Sequence, residues 1–162
     1  MDQLIYKLLG GATVFFVAWL TRSAVCREAE GATEQIEGYL TLMEGLRRGI
    51  AYERAPIDEL LARCDPSTVA ACAGREDVTR AESLSALLSR TEFLAEGLEE
   101  IVTHAATHLG RGYHEEQLAA CDRYVASLTA LLAAYRKKCE ERRGMLGTLI
   151  DTAAAALVLL LL

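Results

Sequence analysis

Apolar and polar positions divide this chain into charge-free ends and a middle of helical stripes. Leu8 to Thr21 carries no charge and includes Val14-Phe-Phe-Val-Ala-Trp-Leu20, and 152–162 reads Thr-Ala-Ala-Ala-Ala-Leu-Val-Leu-Leu-Leu-Leu. Only Asp151 interrupts the longer closing segment that starts at Gly144. A helix of about 19 residues rises roughly 28 Å, close to the hydrocarbon thickness of a bilayer. Residues 144–162 are therefore expected to form a C-terminal membrane helix. The N-terminal run reaches a comparable length if Leu4, Ile5 and Tyr6 join it while Lys7 and Arg22 snorkel to the interfaces. An uncleaved membrane helix over 1–22 is expected there. A cleavable signal fits less well, because Asp2 stands near the start and Arg22 interrupts the would-be cleavage region. A lipoprotein signal needs a small residue where Val25 precedes Cys26.

From Arg22 no strong breaker occurs before Pro56, so the first helix is expected to run on to about Ile50. Ile36, Tyr39, Leu40, Met43, Leu46 and Ile50 fall on one helical stripe. Gly31, Gly38 and Gly45 recur every seven residues, with Gly49 four beyond, along one flank of that helix. Glycine costs a helix interior about 1 kcal/mol relative to alanine, so the spacing points to another backbone passing close by, or to drift in a tolerant helix.

Pro56, Asp58 and Glu59 suit the first turn of a second helix, where proline loses no bond and acids meet the positive end of the dipole. A third short helix follows, with Asp65 as N-cap, Pro66 at its first position and Gly74 as its stop. The spacing predicts a helix over Val78 to Arg90 with Ala81, Leu84, Leu87 and Leu88 inward. A further helix is expected from a Thr91 cap, with Phe93, Leu94, Leu98, Ile101, Val102, Ala105 and Leu109 as its core stripe. Gly110-Arg-Gly112 is the clearest turn. After it a last helix from about Tyr113 carries Leu118, Cys121, Tyr124, Val125, Leu128, Leu131, Leu132 and Tyr135, and Gly144 and Gly147 are candidates for a bend. The fold class expected is all-α: an antiparallel bundle of about five helices over 23–143, flanked by N- and C-terminal membrane helices.

Charge adds an orientation to this picture. The net charge of −6 argues against nucleic acid, which needs a clustered basic face. Arg136, Lys137, Lys138, Arg142 and Arg143 crowd the approach to the C-terminal segment, as on the cytoplasmic flank of a spanning helix. The central domain is accordingly expected in the cytoplasm. Five cysteines, odd in number and without CxxC spacing, read as thiols in a reducing compartment, a Cys64 to Cys72 bridge being the alternative.

The order of Tyr52-Glu-Arg-Ala-Pro56-Ile57-Asp-Glu-Leu-Leu61, Leu109-Gly110-Arg-Gly-Tyr-His-Glu-Glu-Gln117 and Arg142-Arg-Gly-Met-Leu-Gly147 behind an N-terminal apolar helix resembles stage III sporulation protein AB. That family is related to the inner-membrane platform protein of type II secretion and type IV pilus systems. The resemblance covers essentially the whole chain. It implies a helical domain held in the mother-cell membrane, in a channel complex between mother cell and forespore, alongside a secretion-type ATPase. Two departures stand out. Gly112 and Tyr113 replace the small polar residue and aspartate usual before the glutamine, which weakens the expected cap of the last helix. Asp151 in an apolar segment costs several kcal/mol unless protonated, paired or near the interface.

Candidate chemistry is sparse. His104 and His108 stand one turn apart and His114 follows the turn, a minimum for a metal site without the glutamate of a metallopeptidase. Phosphate-cradling and nucleophile-elbow motifs are absent. No catalytic residue, cofactor or metal is expected. Arg47, Arg48, Arg54 and Arg63 form a small basic group that faces lipid, a partner or solvent. The leading expectation is a non-catalytic scaffold that docks an ATPase or ring protein, with Tyr52, Pro56, Asp58, Glu59, Leu109, Gly110 and Gln117 as contact residues. Homo-oligomerisation stays open. The competing expectations are a small metal-dependent hydrolase using His104, His108 and His114, and a pore-forming membrane protein.

Overall fold

The computed structural model describes the backbone of residues 2–161; side chains are described over 29–145 and at scattered positions outside that range. Its elements are α1 (Asp2–Glu53), α2 (Ile57–Ala62), α3 (Pro66–Ala73), α4 (Leu84–Leu88), α5 (Leu98–His108) and α6 (His114–Leu161), and the described residues hold no strand. The all-α class follows from the sequence pattern. The chain divides into two compact units, Glu30–Tyr135 and a second made of Met1–Ala29 with Arg136–Leu162. Among the described residues no helix is long and apolar enough to cross a membrane. Most side chains of the expected membrane helices over 1–22 and 144–162, Asp151 included, lie outside the described residues.

The core of Glu30–Tyr135 is built on the inward stripe of α1. Ile36, Tyr39, Met43, Leu46 and Ile50 are buried as the periodicity requires, Leu42 joins them, and Leu40 is partly covered. Val102, Ala105 and Leu98 of α5 and Cys121, Tyr124, Leu128 and Leu132 of α6 close the core. Cys64 and Cys72 are both free thiols, Cys64 donating to the Leu60 carbonyl at 3.4 Å.

The glycine flank of α1 has more than one explanation. A Cβ on Gly38 would lie 2.9 Å from Ala71 Cβ and 3.1 Å from the Cys72 nitrogen, so α3 passes against the α1 backbone there. At Gly49 the neighbour is instead the Leu60 side chain, and at Gly45 nothing lies within 4 Å.

Local chemistry places α3 where the sequence puts it. Asp65 accepts from the Ser67 amide at 2.9 Å, Pro66 opens the helix, and Gly74 ends it at φ 66°. Pro56 differs slightly: it is the N-cap of α2, at φ −58° and ψ 147°, and the helix begins at Ile57.

The segment 78–97 departs most from expectation. The helix expected over Val78 to Arg90 shrinks to Leu84–Leu88, because Ser83 is extended and its hydroxyl accepts from the Ala86 amide at 3.1 Å. Val78 and Ala81 are nonetheless buried, from irregular chain. Thr91 caps no helix. Its hydroxyl donates to the Leu87 carbonyl at 2.9 Å and so accepts from Tyr39 Oη, also at 2.9 Å. Burial pushes the Tyr39 phenol well above its ordinary pKa, so it stays a neutral donor. The next helix starts only at Leu98, after Gly97 at φ 84°. Gln35, one per cent exposed, explains the interval: its Nε2 donates to the Cys72 carbonyl at 3.1 Å and the Glu92 carbonyl at 2.7 Å, and its Oε1 accepts from the Leu94 amide at 2.9 Å. A side chain of α1 thus takes the place of helical hydrogen bonds in 91–97.

Candidate functional site

Two of the sequence motifs meet at one groove. Helix α5 ends as Leu109 turns extended, its amide still bonded to the Ala105 carbonyl at 2.8 Å. Gly110 at φ 88° and Gly112 at φ 101° then reverse the chain into α6. Tyr113 lacks a side chain that can cap, yet the start of α6 is satisfied. Glu116 Oε2 accepts from the Tyr113 amide at 3.2 Å, and Gln117 Nε2 donates to the Gly112 carbonyl at 3.1 Å. The glutamate three residues into the helix thus supplies half of a capping box, which offsets the departure at Tyr113.

Glycine at 112 suits the backbone conformation of the turn. Its positive φ disfavours any L side chain, and a Cβ there would stand 2.6 Å from Glu116 Oε2, so that carboxylate would have to swing away from the Tyr113 amide. Gly112→Ala is expected to lower stability by roughly 1–2 kcal/mol, read as a shift in the chemical-unfolding midpoint. An unshifted midpoint would show that the turn relaxes freely.

Across from this turn lies the start of α2, with Ile57 Cδ1 at 3.8 Å from the position of a Gly110 Cβ. Between them opens a groove of about 770 Å³. Ile50, Ala55, Ile57, Leu84, Ala106 and Leu109 give it an apolar lining. Arg54, Asp58, Arg111, His114 and Glu115 supply the charged and titratable groups, with Ser83 and Ser85 from the start of α4. Arg54 follows the end of α1 at φ 52°, a left-handed conformation that costs a non-glycine residue roughly 1–2 kcal/mol.

Of the contact residues expected from sequence, Pro56, Asp58, Leu109, Gly110 and Gln117 line this groove. Tyr52 and Glu59 do not. Tyr52 is 86% exposed beside a second recess of about 430 Å³ that Gly45, Gly49, Leu60 and Arg63 also line. Glu59 pairs with Arg63, which also reaches Glu53 at 3.0 Å. Arg54, Arg111 and His114 lie inside the two motif stretches, 52–61 and 109–117, expected to make contacts, without being singled out there; only the Ser83 to Ser85 segment falls outside both.

The other candidates lie elsewhere. His104 and His108 lie against each other, ring centroids 4.3 Å apart and tilted by 39°, and His104 Nδ1 lies 2.8 Å from Tyr124 Oη. They do not line the groove that His114 lines. Among the described residues no group of three or more His, Cys, Asp or Glu side chains is arranged to hold a metal ion. Arg47 pairs with Asp122, tying α1 to α6. Arg136, Lys137, Lys138, Arg142 and Arg143 are exposed along α6, with Lys137 3.9 Å from Glu141.

The family model for stage III sporulation protein AB matches residues 7–162. The chain belongs to the stage III sporulation protein AB family. Neither the curated proteins nor the solved structures contain a match to it. Membership supports a role in sporulation for this family member. The match runs through both motifs at the groove, the basic stretch of α6 and the apolar C-terminal run.

Proposed function

We propose that this family member is a non-catalytic scaffold of a secretion-like channel complex in sporulation. Its Glu30–Tyr135 unit docks a secretion-type ATPase or a ring protein, and its apolar ends fix it in the mother-cell membrane with the central unit on the cytoplasmic side. The observation that carries the docking reading is the groove in which Pro56, Asp58, Leu109, Gly110 and Gln117, far apart in sequence, surround one recess. An apolar lining with Asp58, Glu115, Arg54 and Arg111 around it suits a protein segment with an apolar anchor and charged flanks. The anchoring reading rests on the charge-free terminal runs and on the basic stretch Arg136 to Arg143 that precedes the second of them. Confinement to a membrane raises the effective concentration of partners anchored in the same plane.

Co-purification of the full chain with the sporulation secretion-type ATPase is the direct test. Reversing groove charges with Asp58→Arg and Arg111→Glu is expected to weaken that association roughly tenfold while leaving the helical content unchanged. Absence of binding by the unsubstituted chain in membranes would sink the ATPase reading. Protease protection of Glu30–Tyr135 in sealed vesicles tests the orientation: an outside location contradicts it.

A further inference from the structure

A third recess, separate from the docking groove and independent of the function proposed above, gathers arginines. It measures about 420 Å³ and is lined by Arg75, Arg80 and Arg90, with Thr79, Ser89 and Asp77. These residues come from the irregular chain after α3 and from the exit of α4. Within a chain of net charge −6, this concentration of guanidinium groups runs against the overall balance.

One arginine is already committed. Arg75 forms a two-pronged pair with Asp77, Nε to Oδ1 at 3.0 Å and Nη2 to Oδ2 at 2.8 Å. That pair neutralises the one carboxylate in the lining. Arg80 and Arg90 have no ion-pair partner among the described residues. Glu76 and Glu82 are exposed and do not line the recess. Two unpaired guanidinium forks from separate stretches of chain therefore share one concavity with the Thr79 hydroxyl. Ser89 Oγ donates to the Ala86 carbonyl at 2.9 Å and serves as a wall.

We propose that this recess binds a phosphate dianion, either as free phosphate or as a phosphomonoester on a lipid headgroup. A planar carboxylate has two oxygens and satisfies one guanidinium fork. A tetrahedral phosphate offers enough acceptors to meet both forks and the hydroxyl together, and paired guanidinium to phosphate bonds are among the stronger charge-assisted contacts. Asp77, already satisfied by Arg75, leaves Arg80 and Arg90 without a counter-charge from the lining.

The test is site-resolved modification of arginines in the full chain by phenylglyoxal, read by mass spectrometry, with exposed Arg123 as internal reference. Inorganic phosphate or pyrophosphate is expected to slow modification of Arg80 and Arg90 at least threefold relative to Arg123. If phosphate is a free ligand, the soluble anions suffice. If the source is a lipid, vesicles containing phosphatidic acid protect where phosphatidylcholine vesicles do not. Arg80→Gln is expected to abolish protection of Arg90 in either case. Equal protection by acetate at matched ionic strength, or no preference over Arg123 under any condition, overturns the proposal.

Discussion

Replacing Gln35 with leucine is expected to destabilise the Glu30–Tyr135 unit by about 3 kcal/mol, because three buried or part-buried backbone groups lose their partner together. The Cys72 and Glu92 carbonyls lose a donor and the Leu94 amide loses an acceptor. The geometry fits glutamine in one orientation only, with the amide nitrogen towards the two carbonyls. Gln35→Glu is therefore also expected to destabilise, since a carboxylate accepts from Leu94 but donates to neither carbonyl. Chemical unfolding followed by circular dichroism gives both values. A leucine variant with an unchanged midpoint would mean that 91–97 is held by other contacts, of which the Glu92 amide to Ala73 carbonyl bond at 3.0 Å is the main alternative.

The second large effect concerns the glycines of α1, and its sign changes along one helix. Gly38→Val is expected to cost about 3 kcal/mol, because the new side chain drives into Ala71 and the Cys72 backbone, and a close-packed interface does not open to admit it. Gly45→Ala is expected to raise stability by up to about 1 kcal/mol, since an alanine there meets nothing within 4 Å and gains helix propensity. Both are measured as midpoint shifts at unchanged denaturant slope. Equal effects at the two positions would contradict the placement of α3 against Gly38.

Much of the fold was legible because α1, α5 and α6 carry long amphipathic stripes. Ile36 to Ile50 and Cys121 to Leu132 alternate with exposed positions at helical spacing, and the structure buries most positions that the period marks, leaving Leu40, Val125 and Leu131 partly covered. Asp65, Pro66 and Gly74 delimit α3 correctly because capping is local chemistry, decided within a few residues. The groove was half legible. Proline and glycine mark chain reversals, which put Pro56 and Gly110 on loops, but loop position alone does not say which loops face each other. Tyr52 and Glu59 illustrate the limit: they are close in sequence to Pro56 yet fall outside the groove.

The departures have two causes. Val78 and Ala81 match helical periodicity, but the extended Ser83, whose hydroxyl accepts from the Ala86 amide, delays α4 to Leu84. Phe93 and Leu94 also match it, and there the decisive group is distant: Gln35, more than fifty residues from Glu92 and Leu94, satisfies backbone groups without helical bonds. Sequence by itself determined the all-α class, the main stripes of the core, the ends of α3 and the membership in a sporulation family, because each rests on local pattern or on motif order. Only the tertiary structure decided which glycine of α1 touches another backbone, where α5 begins, and that two distant turns line one groove. Those outcomes depend on packing between segments far apart in the chain, which no single stretch of sequence records.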